Sequence, residues 1–306
     1  MLAHPLHLHL LSNATVLEDF KYKTIDGDLV GIVGDLWELK SHNISVTWHS
    51  IGGVKQASYP EIVYALCRDV RSTPITTESS YFYGKLVARA AKLALIVEEV
   101  DCLDGNTWRT PLSHGWMVLL VGMIFLLAKI DRAWGSKYKP QAYSLAADFI
   151  NMGNQSNSNY PRLRCFDLYK LHSWAGGLAE FGDGRDQEST SEAVNAYYSA
   201  ALMGLAYGDT NLFDSGSMLT ALEIQAAQMW WHVREGDTLY EEEFTKENRI
   251  VGILWANKRD GGLWFAPPEA KEIRLGIQLL EGIYDKDGAS EKIKSLKGFD
   301  DGNSLT

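Results

Sequence analysis

His172-Ser-Trp-Ala-Gly-Gly-Leu-Ala-Glu-Phe-Gly-Asp-Gly-Arg-Asp-Gln-Glu188-Ser-Thr-Ser-Glu192-Ala-Val-Asn-Ala-Tyr-Tyr198 runs from a glycine-rich, tryptophan-bearing loop into an apolar helix. Gly176, Gly177, Gly182 and Gly184 permit tight backbone bends. Ala193 to Ala206 is dense in Ala, Tyr, Leu and Met, which predicts a well-buried helix. Glu188 and Glu192 stand at i and i+4, so on a continuous helix their side chains would share one face about 5–6 Å apart. The ordinary reading of such a pair is a solvated helix start, where the dipole favours acids and Ser or Thr supplies a cap. Here, however, Asp183 to Ser191 is a polar stretch between two apolar segments. Such a stretch is costly to bury unless it lines a wet pocket. Two acids beside a Trp-bearing loop then point to a carbohydrate-cleaving cleft.

Beyond this stretch the helical periods continue. Tyr59 to Val70, Tyr83 to Val100, Met117 to Ile130, Pro140 to Asn151, Glu192 to Tyr207, Ser217 to His232 and Pro268 to Leu280 read as helices. The first 52 residues differ in texture. Leu29-Val-Gly-Ile-Val-Gly and Ile44-Ser-Val-Thr-Trp48 alternate as strands, with Asp26-Gly27 and Asn43 in turns. The fold class expected is therefore mainly α with an N-terminal β portion, its repeated helices forming a toroid of hairpins.

With 306 residues, 46% hydrophobic and 22% charged, the chain has the composition of a folded globular protein. A formal net charge of −10 excludes nucleic acid as the expected partner, since phosphates require a basic face. A neutral polysaccharide meets no such conflict. Ten Trp and fourteen Tyr add support, because aromatic faces suit sugar rings as well as cores. Cys67, Cys102 and Cys165 are an odd number without short spacing, which indicates neither a disulfide framework nor a metal knuckle. No metal or other cofactor is expected. Trp116 to Ala128 is apolar but shorter than the roughly twenty residues a bilayer span needs, so it reads as a core helix. No Lys or Arg precedes Lys21, so no basic leader is visible, and the sequons at Asn13, Asn43 and Asn154 are few enough to arise by chance. Compartment and oligomeric state are not read from the sequence.

The residues also carry a family resemblance. Asp167-Leu-Tyr-Lys-Leu-His172-Ser-Trp-Ala-Gly-Gly, followed by Asp183-Gly-Arg-Asp-Gln-Glu188-Ser-Thr-Ser-Glu192-Ala-Val-Asn-Ala-Tyr-Tyr, resembles glycoside hydrolase family 81, the endo-1,3-β-glucanases, in its plant form. Asp19-Phe-Lys-Tyr-Lys-Thr-Ile-Asp-Gly-Asp, Tyr83-Gly-Lys-Leu-Val-Ala-Arg and Gly252-Ile-Leu-Trp255-Ala-Asn-Lys-Arg-Asp260 extend it. The resemblance implies a remnant of a β-sandwich over 1–52, a small α/β linker over 53–110 and a partial (α/α)6 barrel over 111–306. It further implies that the chain begins inside the sandwich, stops before the last barrel elements and lacks a stretch between Leu280 and Glu281. The implied substrate is 1,3-β-glucan, cleaved internally with inversion. Glu188 and Glu192 would be the catalytic pair, and Asp167, His172 and Trp174 would contact substrate.

Another implied departure concerns the chemistry itself. Family members carry Asn-Asp-His-His, an aromatic residue and another His ahead of a helix ending Ala-Lys-Ile-Asp, and that Asp is the presumed general acid. The helix end survives as Ala128-Lys-Ile-Asp131, but counting back places Leu112 at the acid's position, within Pro111-Leu-Ser-His114-Gly-Trp116. An inverting glycosidase needs an acid and a base about 6.5–9.5 Å apart on opposite sides of the sugar. Two glutamates projecting from one helix face cannot supply both, so one would be the base and the other its electrostatic partner. Asp167 is the nearby candidate for the acid, with a structural acceptor role as its alternative. Three classes follow: an active endo-1,3-β-glucanase, a glucan-binding protein without turnover, and an incomplete gene product.

Overall fold

The computed structural model describes residues 4–23, 29–41, 132–152, 159–175, 182–233 and 239–263, with isolated positions between 60 and 128 and Pro267. It is helix-rich with small antiparallel sheets. Contacts divide the chain into two compact units. One comprises Met1–Ser45, Asp167–Ser191 and Ala221–Thr306, and the other Val46–Phe166 and Glu192–Thr220.

The first unit opens with α1 (Pro5–Leu10), started by Pro5 at its first position and by His4, whose Nδ1 accepts the His7 N–H at 3.3 Å. β1 (Leu11–Lys23) follows and pairs antiparallel with β2 (Leu29–Leu39), from Leu11 opposite Leu39 to Lys23 opposite Leu29. Register shifts after Leu11, Ala14 and Leu17 interrupt the ladder. The expected strand at Leu29 is thus part of a longer one, while Ile44–Trp48 lies outside the described residues. Val16, Leu17 and Phe20 of β1 are exposed. The ribbon alone would be marginal, and α1 supplies an anchor. The His4 and His7 rings stack at 3.5 Å, Tyr169 meets both edge-on, and His4 Nε2 donates to the Tyr169 carbonyl at 2.5 Å. Trp230 closes the cluster at 5.2 Å from His4, beneath the Lys170 ammonium.

The second unit is built on helices, two of which share residues with the first unit, at Thr190–Ser191 and Ala221–Trp230. α2 (Arg132–Ile150) buries Ala142, Ala146, Ala147, Phe149 and Ile150. It begins eight residues before the expected start at Pro140, so this proline sits inside the helix. The reading failed because proline favours a first turn but is also tolerated, as a kink, within a helix whose other face is packed. α3 (Thr190–Tyr207) buries Val194, Ala196, Tyr197, Ala200, Ala201 and Met203, as its composition predicts. Gly208 ends it with φ +65°, and Asp209 starts α4 (Thr210–Trp230) by accepting the Leu212 N–H on Oδ1 at 3.0 Å. α4 begins seven residues before the expected Ser217, because Gly216 is not a breaker. It lies where α4 crosses α3, and a Cβ there would sit 2.6 Å from Ala201 N and 2.9 Å from Tyr197 O. Gly216→Ala is expected to push the helices apart and cost about 1–3 kcal/mol, read as a lowered urea midpoint. An unchanged midpoint would show that the crossing relaxes freely.

Tyr143 and Tyr207 tie α2 to this hairpin. Tyr143 donates to Asp209 Oδ2 at 2.8 Å and Tyr207 to the Gly135 carbonyl at 3.1 Å, with Lys139 Nζ 5.3 Å from both rings. Ala128 and a few positions from 60 to 68 are helical. The helices expected at 83–100 and 268–280 lie outside the described residues, as does that at 117–130 apart from Ala128.

Candidate active site

Asp167 closes β3 (Phe166–Asp167) and heads a tight turn in which Leu171 N donates to its carbonyl at 2.7 Å. Its Oδ1 accepts the Tyr169 and Lys170 N–H groups, each at 2.9 Å. Its Oδ2 accepts Trp174 Nε1 at 2.9 Å and lies 3.5 Å from an Arg185 guanidinium nitrogen. Burial pushes this carboxyl up, but the bonds from Trp174, Lys170 and Tyr169 prevail and hold it below the usual carboxylate range. Asp167 is therefore an ionised acceptor that shapes the loop. A proton donor to a leaving group would need the opposite shift.

β4 (His172–Ser173) follows, and His172 and Trp174, two of the three side chains expected on the substrate, are enclosed. His172 is fully buried, its ring edge-on to Trp174 at 4.5 Å and to Trp231 at 5.1 Å, and burial lowers its pKa to about 4. Trp174 is 2% exposed. Its packing role is thereby dominant, and Trp174→Ala is expected to cost about 3–5 kcal/mol as a buried aromatic is lost. Trp174→Phe keeps most of the volume and should cost about 1 kcal/mol, the value of the hydrogen bond to Asp167. Urea titration of the two variants checks the difference. Equal, small losses would show that the ring is not structural.

The backbone of Ser173 is held on both sides. Its N–H donates to Glu223 Oε1 at 2.7 Å, and its carbonyl accepts Gln187 Nε2 at 2.9 Å. The Gln187 amide continues the chain, because its Oε1 accepts the Ser189 N–H at 3.0 Å. Gln187 belongs to β5 (Asp186–Gln187), which pairs with β6 (Ile253–Trp255), and β6 pairs with β7 (Arg259–Asp260). Ala175 N donates to the Asp186 carbonyl at 2.8 Å. Lys258 reaches Asp183 Oδ2 at 2.6 Å, and Ala256 N donates to the Arg185 carbonyl. The Gly252–Asp260 motif is therefore the brace of the 183–187 segment.

This brace changes the expected placement of the glutamates. Residues 186–187 are extended, α3 starts at Thr190, and Glu188 lies ahead of the helix rather than on it. Glu192 occupies the first turn and is exposed, while Glu188 is half-buried. The i, i+4 argument does not apply, because sheet pairing and the Gln187 side chain claim the residues before Ser189. Glu188 is instead positioned by its neighbours, both anchored through one glutamine.

Glu223 was not anticipated. It is 2% exposed on α4, and burial raises its pKa to about 8 despite the bonds from Ser173. An acid within Leu219-Thr-Ala-Leu-Glu223-Ile-Gln-Ala-Ala was the available signal, since an unpaired charge is rarely buried. Among the described residues no group of three His, Cys, Asp or Glu is placed to hold a metal, and no helix is long and apolar enough to cross a membrane.

Comparison with known proteins agrees with the resemblance. The profile of the glycosyl hydrolase family 81 C-terminal domain matches residues 114–303. A glucan endo-1,3-beta-D-glucosidase of Glycine max is 49% identical over 404 aligned positions that cover 100% of this chain and 60% of the relative. The alignment is longer than the 306 residues here, so the relative has internal segments without counterpart in this chain. A primary septum glucan endo-1,3-beta-D-glucosidase of Schizosaccharomyces pombe is 32% identical over 298 positions, covering 78% of this chain and 28% of the relative. A solved family 81 glycoside hydrolase from Clostridium thermocellum superposes with a TM-score of 0.70 at 20% identity, over 97% of this chain and 48% of that one. The chain thus spans less than two thirds of these relatives.

Proposed function

The chain belongs to glycosyl hydrolase family 81, and on that premise we propose that it engages 1,3-β-glucan at the segment centred on Glu188. The observation that carries this reading is the seating of Glu188 between two residues fixed by the Gln187 amide, in a segment braced by β6 and the Asp183–Lys258 pair. In the mechanism proposed, Glu188 is the general base. It takes a proton from the water that attacks the anomeric carbon, and the configuration inverts. Glu192, in the first turn of α3, supports it electrostatically. The second carboxyl group must protonate the leaving oxygen from the opposite side.

Neither Asp167 nor Glu223 fits that second role. Asp167 is ionised and bound to N–H groups, while Glu223 holds a proton at neutral pH but lies buried behind Ser173. With Leu112 at the position of the family's acid, the chain retains a base and lacks its partner. The same observation favours a second reading, a glucan-binding protein that keeps the site without turnover. In either case we assign β1 and β2 to a β-sandwich portion within 1–52 and α2 to α4 to an (α/α)6 barrel portion within 111–306. The partner is a neutral polysaccharide or oligosaccharide, in keeping with the acidic chain. Native electrophoresis through a gel containing laminarin tests the substrate class. Retardation relative to an unrelated protein is expected, and equal mobility with and without laminarin would overturn the reading.

A further inference from the structure

Trp174 was one of the three expected sugar contacts, yet both its ring and its Nε1 are occupied. His172 meets it at 4.5 Å, Asp167 accepts its N–H, and the Arg185 guanidinium carbon lies 5.4 Å from the ring centre. What this cluster offers to solvent is therefore the guanidinium rather than the indole. The Arg185 side chain is 34% exposed. Among the described residues its sole hydrogen-bond acceptor is Asp167 Oδ2, at 3.5 Å from one terminal nitrogen. Its Nε and remaining terminal N–H groups stay available as donors.

The backbone of Arg185 is equally fixed. Its carbonyl accepts the Ala256 N–H at 2.8 Å, and it follows Gly184, whose φ of +82° and approach to Ala256 leave no room for a side chain. Asp186 and Gln187 next to it are buried, and the half-buried acids that flank it along the segment are Asp183, paired with Lys258, and Glu188. A planar guanidinium laid on an aromatic ring, with one edge on a carboxylate, loses little freedom when it hydrogen-bonds. Sugar hydroxyl oxygens are suitable acceptors. Anionic ligands fit less well beside Asp183, Asp186 and Glu188 on a chain of net charge −10.

We propose that Arg185 is the substrate-contacting residue of this cluster, donating to hydroxyl oxygens of a glucose unit bound beside Glu188, while Trp174 is the platform that holds the guanidinium in place. The assignment rests on the 1,3-β-glucan reading. The test is laminarin affinity electrophoresis of the full chain and its variants. R185M is expected to weaken binding on the order of 10- to 100-fold, as charged hydrogen bonds are lost. R185K should weaken it comparably, since an ammonium neither forks nor stacks. Wild-type retardation with undiminished R185M binding would overturn the assignment and leave the glucan reading standing. No wild-type retardation would overturn both. Should the variants fail to fold, phenylglyoxal labelling of the wild-type chain with peptide mapping decides. Laminarin is expected to slow modification of Arg185 about tenfold or more, the occupancy effect of a ligand well above its Kd. Equal labelling rates with retardation intact would refute the contact.

Discussion

A version of this chain with the Asn-Asp-His-His segment restored ahead of Ala128 is expected to release reducing ends from laminarin about 10²–10⁴ times faster than the chain itself, the usual worth of general acid assistance. The leaving group explains the size of the effect. A sugar alkoxide is too basic to depart unprotonated, and Leu112 has no proton to give. Asp167 does not substitute, because its carboxylate is stabilised as the anion by Trp174, Lys170 and Tyr169. Introducing Glu188→Gln into the restored chain should then remove most of the gained rate, since an amide takes no proton from water. Turnover by the unaltered chain comparable to that of an intact relative would sink this account. So would a restored chain indifferent to Glu188→Gln, which would move the base elsewhere.

Glu223→Gln is expected to flatten the loss of stability between pH 6.5 and pH 8. Burial raises this carboxyl from 4.5 to about 8, so in that window the folded chain keeps a proton that the unfolded chain has released. Its stabilising contribution is complete below pH 4.5, declines as pH rises, and is gone above the folded value. Burial acts oppositely on His172, lowered from 6.5 to about 4, and on His7, also lowered to about 4. Their contributions are complete above pH 6.5 and fade as pH falls. The histidines therefore offset Glu223 between pH 4.5 and 6.5, and the slope above 6.5 belongs to the acid. Wild-type stability should fall there by on the order of 1 kcal/mol per pH unit. The glutamine retains an oxygen for the Ser173 N–H, so charge is changed with little loss of packing. Parallel urea-midpoint profiles for the two proteins would show that Glu223 is not protonated in the fold.

Local rules made the helices legible and left the site half-read. α3 was visible because Ala, Tyr, Leu and Met persist up to a glycine that only a left-handed stop requires. The starts expected at Ser217 and Pro140 were both too late, because Gly216 fits the space between helices and Pro140 lies inside a packed helix. At the site, Asp167, His172 and Trp174 lie together in the fold, but composition could not show that Trp174 faces inward. That depends on Asp167 and Arg185, seven and eleven residues away. Glu188 could not be seen to lie ahead of the helix, because Gln187 looks like any polar residue until Ser173 and Ser189 stand beside it. Glu223 lies 50 residues from Ser173, a separation across which no periodicity reports.

The two-residue link Gly208-Asp209 has a consequence for how the chain acquires its fold. The α3 and α4 segments within 192–220 meet through Gly204 near Phe213 and Gly216 near Ala201, contacts that enclose short loops. Closing so short a loop forfeits little chain entropy, and such local pairs form orders of magnitude sooner than distant ones. By contrast, the clamp around Glu188 requires Glu223 to find Ser173 across the intervening hairpin. The helical turn-back is accordingly expected to form before the Glu223–Ser173 contact.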